Sequence, residues 1–221
     1  MNSKYVLTDE SIIFNSVTLY RIKAIKSFYT VRVGDLGGFV EGYDNLSQDG
    51  NAWVYGNARV YGNAWIHGNA RISGYAWIHG DARVSGNAHA SGNAWIHGDA
   101  RVYGNARVYS NARVYGNAWI HGNARISGYA WIHGDARVSS ASDIISISPI
   151  GSENGVLTCY TTKSGIDCSR GCFSGTIEEF KKAVDGTHKN TIFYEEYMAA
   201  INLIEIKLNK ENMKNDNSNI K

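Results

Sequence analysis

Between residues 50 and 139 the apolar positions recur every six residues, through fifteen consecutive units without an insertion. Each unit reads Gly, Asn or Asp, Ala, Arg or Trp, Val or Ile, then Tyr, His or Ser. Gly fills the first slot fourteen times, with Ser110 the exception, and Ala fills the third slot in all fifteen units. The fifth slot is Val or Ile except at Ala90. Two small or β-branched residues two apart lie on one face of a strand, and the residue between them lies on the other. A six-residue period of this kind predicts a parallel β-helix, with Gly at corners where positive φ is cheap. Residues 44–49 and 140–145 read as degenerate units at the two ends.

A longer repeat overlies the short one. Residues 62–85 and 116–139 are identical at all 24 positions, at an offset of 54 residues. That offset is a multiple of 18, so the copy returns every residue to the same face if three units make a coil. An extended surface survives such copying more easily than a single catalytic pocket does.

Outside the array the pattern changes. All eleven Lys and all nine Glu lie outside residues 50–139. Residues 1–43 hold short alternating apolar stretches, Leu19 to Ile25 and Val31 to Val33, expected to form a β cap of the kind repeat arrays require. Residues 146–221 are expected to form a small α+β module, a β-meander plus two helices. Its strands are Ile144–Ile150 (running in from the preceding segment), Val156–Thr162 and Ile166–Cys168, with Asn154-Gly155 as a hairpin turn. Thr176-Ile177-Glu178-Glu179 is a capping box opening a helix that ends near Gly186. Phe193, Tyr197, Ile201, Ile204 and Leu208 mark one face of a second helix. Lys210 to Lys221 read as a polar, frayed end.

Composition narrows the function classes. The net charge of +2 commits the whole molecule to no polyanion, and no apolar run is long enough for a membrane span. No secretory h-region is visible at the start of the sequence. Three Cys, at 159, 168 and 172, do not make a disulfide framework, so a reducing cytoplasm is expected. With His188 they have the types of a Cys₃His zinc site, but not its usual spacing.

Units such as Gly62-Asn63-Ala64-Trp65-Ile66-His67 resemble the hexapeptide repeat of left-handed β-helix proteins. The resemblance implies a triangular left-handed coil of three units, five to six coils in all over residues 44–145. Leu19-Tyr20-Arg21-Ile22-Lys23-Ala24 and Gly34-Asp35-Leu36-Gly37-Gly38-Phe39-Val40-Glu41 resemble the N-terminal cap of a phage- and prophage-encoded group of such proteins. Gly171-Cys172-Phe173-Ser174-Gly175-Thr176, Glu179-Phe180, His188 and Tyr197 resemble that group's C-terminal module. Members carry transferase or polymer-forming labels by fold analogy. The resemblance implies a bacterial host cytoplasm, a homotrimer, and a non-catalytic binding role that counters host defence. The protein would block a host protein complex or sequester a nucleotide ligand.

The outward fourth slot, followed at an 18-residue step, gives three columns. They read Trp53, Arg71, His89, Arg107, Arg125; then Arg59, Trp77, Trp95, Arg113, Trp131; then Trp65, Arg83, Arg101, Trp119, Arg137. The array holds eight Arg against three Asp, a net +5 with His neutral. Only the second column sets two Trp on successive coils. With His79 and His97 beside it, it is the candidate binding surface: Arg59, Trp77, His79, Trp95, His97 and Arg113. Arg interleaved with aromatics suits phosphates and bases, and stacked Arg and Trp also serve as plain cross-strand pairs. The expected partner is a host protein or a nucleotide or nucleic-acid ligand, with no membrane, cofactor or metal.

Two enzyme readings compete. Trimeric hexapeptide acyltransferases use a His base, but no loop interrupts these coils to shape an acceptor pocket. Carbonic anhydrases of this fold bind zinc through three His, for which His79 and His97 offer half a site, yet the array has no Glu to move protons. A structural or polymer-forming element is a further alternative.

Overall fold

A computed structural model describes residues 3–209. The protein is mainly β, a parallel β-solenoid of about six turns followed by a small module of sheet and helices. Strands β4 to β18 each occupy the fourth and fifth slots of one unit, from Trp53–Val54 through Arg137–Val138 at a constant six-residue step. They stack into three parallel faces, each in register at 18 residues. On the first face Trp53 pairs with Arg71, then His89, Arg107 and Arg125 follow. On the second, Arg59 is followed by Trp77, Trp95, Arg113 and Trp131. The third runs Trp65, Arg83, Arg101, Trp119, Arg137. The three columns read from the sequence are the three columns of the structure.

The alternation explains the register. Every third-slot Ala and every fifth-slot Val, Ile or Ala is buried. Each buried Val or Ile is worth about 1.5–3 kcal/mol. A one-residue slip would turn all of these outward, so the repeat admits one register. At most glycine corners of the array a side chain would meet the backbone of the next coil. A Cβ on Gly74, where φ is +68°, would lie 2.9 Å from the backbone N and O of Gly92. Ser110 takes the same left-handed conformation at φ +62° without the freedom of Gly. Asn side chains add a second tie between coils: Asn51, Asn69, Asn87, Asn105 and Asn123 pass Nδ2–H to Oδ1 in series, at 3.0–3.2 Å.

The N-terminal cap continues the second face. Strands β1 (Tyr5–Phe14), β2 (Val17–Ala24) and β3 (Leu36–Val40) are antiparallel in sequence, and β3 runs parallel to the Arg59–Val60 strand. β1 was not expected from the sequence, because Thr8, Asp9, Glu10 and Ser11 interrupt its apolar alternation. The expected strand at Val31–Val33 is instead a single bridge from Val31 to Phe28. Lys4 closes the open end: its ammonium donates to the carbonyl of Ala52 at 2.8 Å and lies 5.0 Å from the Phe28 ring. Burial lowers its pKa to about 8, against the opposing pull of Asp49. Trp53, placed outward by its slot, is only 1% exposed. Tyr5 and Phe28 of the cap pack edge-on against it, so the first rung's outer surface becomes core.

The C-terminal module is a four-stranded antiparallel meander, β19 (Ile144–Ile150), β20 (Gly155–Thr161), β21 (Ile166–Arg170) and β22 (Phe173–Thr176), with helices α1 (Ile177–His188) and α2 (Ile192–Leu208). The fourth strand, Phe-Ser-Gly-Thr, is too short and too polar to show in the pattern. The capping box is present, with Thr176 and Glu179 bonding each other's backbone N–H, and α1 runs two residues past Gly186. Ile150, Leu157, Phe180, Tyr197, Ile201 and Ile204 share a core separate from the solenoid's. Hydrogen bonds seat the module on the last second-face rung: Trp131 N–H donates to Thr158 Oγ1, Ser169 Oγ donates to Trp131 O, and His133 N–H donates to the Tyr160 hydroxyl.

Cys159 and Cys168 face each other across β20 and β21 and are joined as a disulfide, leaving Cys172 free and exposed. This corrects the expectation of three unpaired thiols, since neighbouring strand positions bring the two sulfurs together inside an apolar cluster. It also removes two ligands from the Cys₃His combination. Lys210 to Lys221 lie outside the described residues. Among the described residues no helix is long and apolar enough to cross a membrane.

Candidate binding face

The second face is covered at both ends and open in the middle. At the N-terminal end Phe14 of β1 packs edge-on against Trp77, with ring centroids 4.5 Å apart. The Arg59 guanidinium sits 4.3 Å from the Phe14 ring and 5.6 Å from Trp77. At the other end Thr158 and Ser169 of the module hydrogen-bond the backbone of Trp131. Between them lie Trp77 and Trp95, paired across adjacent strands in a T-shape at 5.5 Å, and Arg113, 5.2 Å from the Trp95 and Trp131 rings. These residues line a shallow cleft of about 450 Å³ with Tyr75, Asn93 and Asn111.

The six candidate residues therefore divide into two groups on one face. Arg59, Trp77, Trp95 and Arg113 border the cleft. His79 and His97 stand on the far edge of the strands, in a file of stacked rings that runs Tyr61, His79, His97, Tyr115, His133. Successive centroids are 4.9, 5.0, 4.9 and 5.2 Å apart. The 18-residue step forces this stacking, because each ring leaves the backbone at the same slot one rung later.

The file is tied to the cleft by one hydrogen bond. Trp95 Nε1–H donates to His79 Nε2 at 2.9 Å. An accepting Nε2 requires neutral imidazole with its proton on Nδ1. Burial lowers the His79 pKa, and the neighbouring His97 lowers it further. His97 is lowered by burial and then by Arg113. His79 and His97 lie face to face, 2° from parallel, rather than converging on a common point. Among the described residues no group of three His, Cys, Asp or Glu side chains is placed to hold a metal ion.

Sequence reasoning missed Phe14, Tyr75, Asn93 and Asn111. Tyr75 carries a signal, since it replaces the usual Asn or Asp of its slot. Phe14 carries none, because the fold of the cap alone brings it to the ladder.

Fold and surface together define a β-solenoid repeat protein with a partly open aromatic and arginine face. Three stretches of the array, residues 52–68, 100–116 and 107–122, match the model of a family described as YdcK beta solenoid repeat. No curated protein matches the chain.

Proposed function

We propose that the protein is a non-catalytic binder whose second face takes a nucleotide-type ligand, a planar ring carrying phosphate. One observation carries the reading: the Trp77 and Trp95 rings and the Arg113 guanidinium border one open cleft. A base stacks on an indole for about 1–3 kcal/mol. Arg adds charge-assisted bonds to phosphate. The array supplies no competing Glu, and the ion pairs found among the described residues use Arg21, Arg170 and Lys181, none of them in the array.

The resemblance of both ends to phage-encoded proteins supports a role against host defence, by sequestering such a ligand or blocking a host complex. The same reading puts the protein in the bacterial host cytoplasm. A homotrimer belongs to the proposal too, although the cap removes Trp53 from the surface that would form it. The acyltransferase alternative gains nothing from the fold, whose coils run without an interrupting loop.

The test is a titration of the full chain with a mononucleotide, read by tryptophan fluorescence. Trp77→Ser/Trp95→Ser should keep the fold and lose at least tenfold in affinity, as expected from the loss of about 1.4 kcal/mol or more of stacking. Equal affinity in a folded double variant would remove the cleft from consideration.

A further inference from the structure

The structure points to a larger ligand than the second face alone would hold. We propose that the corner between the first and second faces binds single-stranded nucleic acid, with bases on Trp77 and Trp95 and phosphates on Arg107, Arg125 and His89. The proposal rests on the nucleotide reading of the second face and extends it.

Two clefts flank this corner. The aromatic one on the second face includes Asn93 and Asn111. A second cleft, of about 240 Å³, is lined by His89, Ser91, Arg107, Tyr109 and Arg125 of the first face. The chain passes from Ser91 to Asn93, and one rung later from Tyr109 to Asn111, by two residues. Two residues of backbone reach at most about 7 Å. The clefts therefore adjoin along two successive rungs.

Charge is sorted around the solenoid in the same sense. All three Asp of the array, 81, 99 and 135, precede third-face strands and stand on the corner between the second and third faces. The corners on either side of the first face carry Asn or Tyr in that slot throughout. Arg107 and Arg125 are exposed on adjacent rungs beside His89. A basic track beside aromatic platforms is how single strands are held without sequence readout.

The departures from the repeat gather at this edge. Across the first five slots of all fifteen units, only Tyr75, His89, Ala90, Ser110 and Tyr129 break the consensus. His89 and Ala90 lie on the first face, and Tyr75, Ser110 and Tyr129 on the corner. Tyr75 and Tyr129 are 56% and 67% exposed, so two aromatic rings project where every other corner slot is Asn or Asp. Ser110 holds a left-handed backbone there that glycine holds at each equivalent corner.

The experiment compares a fluorescein-labelled oligothymidylate of about eight nucleotides, matched to the few-nucleotide footprint of stacking platforms, with thymidine monophosphate on the full chain. The oligonucleotide should bind at least tenfold more tightly. Arg107→Gln/Arg125→Gln should erase that gain, leave the monophosphate affinity unchanged, and flatten the salt dependence by about 0.7 per lost phosphate contact. Arg83→Gln/Arg101→Gln on the third face should change neither, with circular dichroism confirming that both variants fold. If the oligonucleotide binds no more tightly than the monophosphate, the corner proposal fails while the second-face reading stands. If the third-face variant weakens the oligonucleotide as much as the first-face variant does, general charge explains the gain and the proposal falls. If neither ligand binds, both readings fall together.

Discussion

The solenoid and the C-terminal module solve the same problem in opposite ways. The solenoid buries Ala and Val or Ile at fixed slots, so each rung is stabilised by the one below and the one above. The module has one irregular core of sheet and helices, closed by a cross-strand disulfide. Repetition makes rungs exchangeable and leaves the outward slot free to vary. An irregular core leaves few positions free, but it can terminate the array and cover its last rung.

Changing the phase of the repeat should break this contrast most severely. Deleting residues 62–115 removes three whole coils and joins Tyr61 to Gly116 in register, so the shorter protein should fold and its thermal unfolding should stay cooperative. Deleting residues 62–112, three fewer, puts apolar slots outward and should abolish folding, read by circular dichroism and solubility. A folded product from the second deletion would rule out the 18-residue coil.

A cavity in the module should be costly but local. Ile201→Ala is expected to cost about 2–5 kcal/mol. Hydrogen exchange should show the loss in β19–β22 and the helices, while Trp77–Ile78 and Trp95–Ile96 keep their protection. Reducing the Cys159–Cys168 bond comes next, at about 2–3 kcal/mol for a loop of this length. It should lower the melting temperature of the module alone.

Acid should act on the solenoid instead. The pKa values of His79 and His97 are lowered in the fold, so the unfolded chain takes up protons first as pH falls. Stability is full above about pH 6.5 and declines below it until the folded imidazoles also titrate. Protonating His79 removes the acceptor of Trp95 Nε1–H, so tryptophan fluorescence should change with the same midpoint. His97→Phe keeps a ring in the file, and should move that midpoint upward by removing the neighbouring charge. The smallest change expected is a gain of about 0.5–1 kcal/mol for Ser110→Gly, which relieves a left-handed Ser at a corner.

The two regions were also unequally legible. The solenoid's faces, columns and buried slots follow from a period of six and a coil of 18, because every rung repeats the same physical choice. The ends give no such redundancy. β1 was hidden by its polar middle, β22 by its length, and the disulfide by a separation that only the strand register explains. The candidate site falls between these cases. Trp77, Trp95 and Arg113 could be placed on one column from their spacing, whereas Phe14 reached it from the cap and Trp53 was taken from the surface by Tyr5 and Phe28. Where a repeat meets a non-repeating segment, its own periodicity no longer says what is exposed.

The central claim is that binding resides on the solenoid rather than in the module. The module offers its own cleft of about 330 Å³, lined by Cys172, Phe173, Phe180, His188 and Tyr197 among others. One titration separates the two: the same labelled oligothymidylate against Trp77→Ser/Trp95→Ser and against Cys172→Ser/His188→Ala, each confirmed folded. The account predicts at least a tenfold loss in the first variant, as expected from stacking of about 1–3 kcal/mol per base, and unchanged affinity in the second. Unchanged affinity in the first with a loss in the second would contradict it, and would move the site to the module.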